Sequence, residues 1–413
     1  MRSSVRLDRR IQAGAASIAL AVRSGEQSWD ELGERIGEFA GSAGSAGFVG
    51  SAGSAEASGP AGSAAFRFVL VTDGTAPADL VARVHALAAS RAPCAVHDLR
   101  SGPLPDRPAP AGRTVVIAVG GERACAVAAD VRVPTDLATA CGPALALHRP
   151  APTGPSSADP GRGGAAGPAP ALVWVRADRL ADRPARETVA GTVAVVRHVL
   201  AVCPAQYAPL AEALAPGARY GERTLTALLA LCADARAALV CFDPYETGPA
   251  LALGYGRSLG RALRTAVGPA LAPGDADALG LLLAGRIAFR LGLLNGPAAR
   301  AHGDLLARTG APTALPGGVD TDRLAAAVGA AAAPGLLLLA DLGHPHCVDG
   351  RLLGPLDGRV LRAAVGSLGG PAGLPHSRAA APDAPPVRDR LPGPAAVPGQ
   401  GLLPLPDALC AAR

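Results

Sequence analysis

The chain has 413 residues, enough for two domains with their own cores, and is 49% hydrophobic but only 3% aromatic. All 39 of its Lys/Arg positions are arginine, which excludes a Schiff-base lysine, a lysine general base and a lysine phosphate clamp. A net charge of +5, with scattered arginines and no interleaved aromatics, argues against a nucleic-acid partner.

Residues 1–40 are expected to form one or two amphipathic helices. Within them AGAASIALAV, residues 13–22, is a weak apolar run with no clear cleavage site after it, so export is not expected. GSAGSAGFVGSAGSAEASGPAGSAA, residues 41–65, has nothing to bury and reads as a flexible linker. FRFVLVTDG, residues 66–74, is a buried strand ending in a turn, and ADLVARVHALAAS follows with helical spacing. RTVVIAVGGE repeats the pattern of strand, then glycine. DVRVPTDLATACG is a third strand running into a helix that starts at Thr135 or Asp136, and APALVWVRADRL is a fourth. Strands alternating with helices predict a doubly wound α/β domain over residues 66–182, interrupted by a disordered Pro/Gly loop at about 149–169.

From Pro184 onward the texture is helical. ARETVAGTVAVVRHVLAVC, RTLTALLALCADARAALVC, RSLGRALRTAV and DADALGLLLAGRIAFRLGLL predict an all-α domain over residues 183–367, followed by a Pro-rich tail at 368–413. Eight separated cysteines without a C-x-x-C pair are expected to be reduced, buried thiols of a cytoplasmic protein. APGLLLLADLG is too short and broken to span a bilayer, so no membrane partner is expected.

The segments, in this order, resemble the dehydroquinate synthase-like sugar phosphate cyclases. VLVTD resembles the family's first strand, VVIAVGGE its glycine turn, and VRVPTDLA its V-P-T-T-L-L segment. PALVWVRADRLADRPARETVAGTVAVVRHVL resembles the stretch that carries L-P-x-R-E-x-x-A-G-x-x-E-V-x-K-H. DPYETGPALALGYGRSLGRAL resembles D-x-x-E-x-G-x-x-x-x-L-x-Y-G-H-T-x-G-H-A. APGDADALGLLLAG resembles H-G-E-A-V-A-I-G-M with its helix, and GAPTALPGGVDTDRLAAAV the later G-L-P-T-x-L-P segment. The wording ETGPALALGYG stands nearer the aminocyclitol-type cyclases of secondary metabolism than the shikimate enzyme. The resemblance implies a Rossmann-like dinucleotide-binding domain followed by an all-α C-terminal domain. It also implies bound NAD, a zinc or cobalt ion, a sugar phosphate substrate, phosphate elimination as a lyase, and a dimer.

On this pattern the NAD positions are Asp73, Gly120, Gly121 and Thr135, with Glu122 in place of the turn's third glycine. The three metal ligands fall at Ala194, Arg257 and Pro273, none of which can donate to a cation. The family's second histidine becomes Arg261, and two lysines become Arg197 and Arg236. The substrate-gripping Arg and Asn become Ala250 and Gly254, and an ungapped count puts His148 at another lysine and Gly142 at an aspartate. Loss of a Lewis acid removes several kcal/mol of transition-state stabilisation, hence orders of magnitude in rate. The expectation is therefore a degenerate cyclase without a metal ion. The alternative is a non-catalytic partner, in a heterodimer, that stabilises an active cyclase paralogue.

Arg257 and Arg261 are expected either to clamp an anion near a helix start or to snorkel to solvent. HPHC, residues 344–347, with Asp341 and Asp349 nearby, reads as a surface loop and fits no zinc spacing. His198 is either a family site residue or a helix-face histidine. Glu187 with Arg186 is expected to be an ion pair or a cap. Asp243 and Glu246 are expected to cap the turn before Gly254.

Overall fold

The computed structural model describes residues 4–14, 16–41, 66–103, 114–127, 129–146, 169–331, 336–346, 353–354 and 357–369. The linker at 42–65, the loop at 147–168 with His148, and the tail from 370 lie outside the described residues, as do Cys347 and Asp349.

The sheet starts well before residue 66. β1 (Arg6–Ala13) and β2 (Ala16–Arg23) stand where helices were expected, and only α1 (Ser28–Gly41) is helical. The reason is periodicity. Leu7, Ile11 and Ala13, with partly buried Arg9, share one face while Asp8, Arg10 and Gln12 are exposed on the other, a period of two that outweighs the helix preference of the alanines.

β3 (Arg67–Thr72), α2 (Ala78–Ala89), β4 (Cys94–Asp98), β5 (Thr114–Gly120), α3 (Glu122–Cys125), β6 (Val131–Pro134), α4 (Leu137–Cys141) and β7 (Leu172–Arg176) follow. Together they form a seven-stranded sheet in the order β1-β2-β7-β6-β5-β3-β4. The pairs from β2 through β4 are parallel, with Ala19 opposite Leu172 and Phe68 opposite Val115. Strands such as TVVIAVG are apolar almost throughout because both faces are covered. Phe68, Leu70, Ile117, Val133 and Trp174 fill one side together with Trp29, Leu32 and Ile36 of α1.

The helical part comprises α5 (Ala177–Ala181), α6 (Ala185–Ala201), α7 (Tyr207–Ala213), α8 (Glu222–Val240) and α9 (Arg257–Val267). It continues with α10 (Pro273–Arg290), α11 (Gly296–Thr309), α12 (Thr321–Ala331) and α13 (Gly358–Leu368). Two small hairpins near residues 336–354 interrupt it. The chain divides into a unit of residues 1–8, 18–135 and 143–176, and a second of 9–17, 136–142 and 177–413. The fold class is thus an α/β sheet domain with a predominantly helical second unit, which begins at 177 and also takes two short stretches from earlier in the chain.

Within the second unit, α9 and α10 touch backbone to backbone. A Cβ on Gly280 would lie 2.4 Å from the Gly256 carbonyl and 2.4 Å from the Gly260 amide. Neither atom belongs to a side chain that can swing away. Gly280→Ala is expected to cost about 1–3 kcal/mol, read as a lower urea midpoint. Among the described residues no helix is long and apolar enough to cross a membrane.

Candidate functional site

The sheet unit brings Asp73, Gly120, Gly121 and Thr135 to neighbouring strand ends, since β6, β5 and β3 are adjacent and parallel. Asp73 itself is 8% exposed and faces inward. Its Oδ1 accepts from the Thr75 amide at 3.1 Å, the Thr75 hydroxyl at 2.6 Å and the Gly121 amide at 3.3 Å; Oδ2 accepts from the Ala124 amide at 2.9 Å. Gly121 N also donates to Thr75 Oγ1 at 2.7 Å. Burial pushes the Asp73 carboxyl up, but bonds from Thr75, Ala124 and Gly121 outweigh it and hold the group below its ordinary value. A carboxylate therefore fastens the glycine turn from within. Gly120 must lack a side chain, because a Cβ there would sit 2.5 Å from Asp73 Oδ1.

This turn does not fit a pyrophosphate. The Gly121 amide is already bonded, Asp73 and Glu122 bring negative charge, and α3 is four residues long. Glu122 is exposed. Thr135 donates its amide to the Gly120 carbonyl at 3.1 Å. The helix start expected at Thr135 or Asp136 is at Asp136, which accepts from the Thr139 amide at 2.8 Å. The buried Thr72 hydroxyl, without a partner among the described residues, is the feature here that favours a ligand.

In the helical unit, α6, α10 and the turn that precedes α9 meet around one side chain. Arg197, on α6, is 2% exposed. Its Nε donates to the Tyr255 carbonyl at 2.9 Å and its Nη2 to Asp277 Oδ2, on α10, at 2.6 Å. Burial depresses the Arg197 pKa, Asp277 opposes this, and the nearby Arg257 charge adds to the depression. The junction lies one turn from Ala194, two residues from Arg257 and one turn from Pro273. The chain thus gathers the elements that carry the three metal positions of the resemblance.

Arg236 is likewise buried and donates to Glu246, which adopts a left-handed backbone at φ 51°. Asp243 ties the same turn by accepting from the amides of Thr247 at 3.1 Å, Gly248 at 2.7 Å and Ala250 at 3.0 Å. It secures a loop rather than capping an α-helix. Both arginines at lysine positions have thus acquired a carboxylate. Arg257 is half-buried, Arg261 and Pro273 are exposed, and Ala194 and Ala250 are buried.

The profile described as 3-dehydroquinate synthase C-terminal matches residues 191–330. The 2-deoxy-scyllo-inosose synthase of Micromonospora echinospora is 32% identical over 195 residues, 45% of this chain and 49% of the relative. That of Streptomyces lividus is 32% identical over 222 residues, 51% and 58%. The chain spans about half the length of the curated relatives it matches. A crystal structure of 2-deoxy-scyllo-inosose synthase with carbaglucose-6-phosphate, NAD+ and Co2+ superposes with a TM-score of 0.67 at 18% identity. It covers 87% of this chain and 99% of that one, a likeness of fold. Over residues 191–330 the chain is similar to the 3-dehydroquinate synthase C-terminal family, and beyond that stretch the likeness is one of fold.

Measured against that family, the described residues do not fit a divalent cation. Ala194 and Pro273 have no donor atom, Arg257 carries positive charge, and no group of three or more His, Cys, Asp or Glu is placed to hold a metal ion among them. Asp277 was missed in the sequence. The signal was present, because it replaces the valine of H-G-E-A-V and stands opposite an arginine at a lysine position.

The remaining candidates are structural. His198 is buried with its Nδ1 3.4 Å from Cys232 Sγ and its Nε2 unpartnered. Glu187, in the first turn of α6, pairs with Arg183 just before the helix at 3.0 Å rather than with exposed Arg186. His344 Nδ1 donates to the Leu342 carbonyl at 2.9 Å, as expected of a surface hairpin. Cys125, Cys141 and Cys232 are buried thiols, but Cys241 is exposed.

Proposed function

We propose that this chain is a sugar phosphate cyclase relative of the aminocyclitol type that keeps the fold and has lost the metal-dependent chemistry. The observation that carries the reading is the Arg197–Asp277 pair, which ties α6 to α10 beside the positions where the family pattern places the metal ligands. A guanidinium already neutralised by a carboxylate supplies no open coordination site and no basic group. The carboxylate-lined glycine turn supports weak or absent NAD binding.

Calorimetric titration with zinc, cobalt and NAD+ tests this, together with phosphate release from glucose 6-phosphate. No saturable heat from either metal and no metal-stimulated release are expected. Stoichiometric zinc with EDTA-sensitive turnover would overturn the proposal. Saturable NAD+ binding by itself would overturn only the argument from the turn.

A second reading, a non-catalytic partner of an intact cyclase, is favoured by Phe242 and Tyr245, exposed at 73% and 68% at the end of α8. Failure of the two proteins to co-elute on size exclusion would remove it.

A further inference from the structure

A cleft of about 310 Å³ opens in the helical unit between the start of α7, the start of α11 and the hairpin turn at residues 341–344. None of the family-pattern positions named above lines it. Its walls are tied in place. The Gly343 amide donates to the Leu200 carbonyl at 2.7 Å, which holds the hairpin turn on the last turn of α6. The Ala298 amide donates to Asn295 Oδ1 at 2.8 Å, which sets the first turn of α11. Pro297, Ala298, Ala301 and Leu342 give the cleft its apolar lining, and the two alanines are buried and too small to fill it.

Asp341, Tyr207 and Asn295 supply the polar lining. Asp341 is exposed; its Oδ1 accepts from the Leu342 amide at 2.8 Å, and its Oδ2 has no partner among the described residues. The Tyr207 hydroxyl has none either. Burial and the Asp304 carboxylate push the Tyr207 phenol above its ordinary pKa, with Arg308 opposing, so the group stays neutral and its oxygen can accept. Asn295 Oδ1 keeps a second lone pair.

The charge balance selects the ligand. The start of α11 does not suit an anion, because Pro297 has no N–H, the Ala298 amide bonds Asn295 Oδ1, and the Ala299 amide bonds the Asn295 carbonyl at 3.0 Å. Among the described residues no arginine or histidine lines the cleft. Arg308, further along α11, gives its Nη1 to the Ala211 carbonyl at 2.9 Å. There remain one carboxylate, two further acceptor oxygens and an aromatic ring beside an apolar surface. That set suits the three N–H donors and positive charge of a primary ammonium group on a short hydrocarbon chain.

We propose that this cleft binds a small primary amine in its ammonium form, with the charge at Asp341 and the hydrocarbon part against Ala298 and Ala301.

The test is a ligand-observed NMR titration of the full chain with butylammonium chloride, with 1-butanol and sodium butyrate as the neutral and reversed-charge probes at the same ionic strength. Saturable binding of butylammonium is expected, with a Kd on the order of millimolar because the charge pair is exposed and the ligand small. Butanol should bind about fivefold more weakly, and butyrate more weakly still. Asp341→Asn, which keeps the shape of the side chain, should weaken butylammonium about fivefold and bring it level with butanol. Ala301→Leu should fill the cleft and remove binding without altering its charge. Circular dichroism of each variant separates lost binding from lost folding, and exposed Asp341 carries the test if Ala301→Leu does not fold. No saturable binding in the parent, butanol or butyrate binding as tightly as butylammonium, or unchanged affinity in a folded variant would overturn the proposal.

Discussion

Asp277→Ala is expected to destabilise the helical unit by about 3 kcal/mol, because it strands the guanidinium of Arg197 in the core with only the Tyr255 carbonyl for a partner. The mirror substitution should cost less. In Arg197→Met the buried end is apolar, and the half-exposed Asp277 carboxylate rehydrates. The double variant should therefore be more stable than Asp277→Ala alone. Urea unfolding of the four proteins, compared as a double-mutant cycle, measures this. Equal losses for the two single substitutions would mean that the pair is no more than a surface contact.

Acid should weaken the fold between pH 6.5 and about 4 through His302, fully buried on α11. Its Nδ1 lies 2.9 Å from the Ala298 carbonyl, which can only accept, so Nδ1 carries the proton and Nε2 accepts from the Tyr255 hydroxyl at 3.0 Å. Burial lowers its pKa from 6.5 to about 4, with the Ala298 carbonyl opposing. The sign follows from proton counts. Above pH 6.5 the imidazole is neutral in both states, and its contribution is fully present. Below that the unfolded chain takes up a proton that the folded one refuses, so stability falls until the folded pKa is reached. The total is about 3 kcal/mol. His302→Gln should flatten the slope of unfolding free energy across this window, whatever it does to stability at pH 8. An unchanged slope would place the acid sensitivity elsewhere.

Strands that are apolar on both faces were readable without coordinates. RFVLVT, TVVIAVG and LVWVR each carry one signal only, and each is a parallel strand. RLDRRIQA and ASIALAVR carry two signals, alternation and alanine, and propensity pointed the wrong way until a neighbouring strand rewarded alternation. The candidate site divides along a similar line. The positions of Ala194, Arg257 and Pro273 could be assigned from motif spacing, and the structure gathers the helices that bear them. The partners could not be read. Nothing local says that Arg197 reaches Asp277, or that Asp73 turns inward to bond its own glycine turn, because both depend on packing between distant segments.

The parallel match of Ala19 with Leu172 bears on how the protein is made. β2 leaves the ribosome well before β7 and must wait through roughly a minute or less of synthesis for the strand that receives it, at ordinary elongation rates. During that wait β2 offers apolar residues and an open row of backbone donors and acceptors to any passing chain. The sheet cannot close around β2 stepwise as the chain emerges, and the nascent chain is expected to lean on chaperones until Arg176 has emerged.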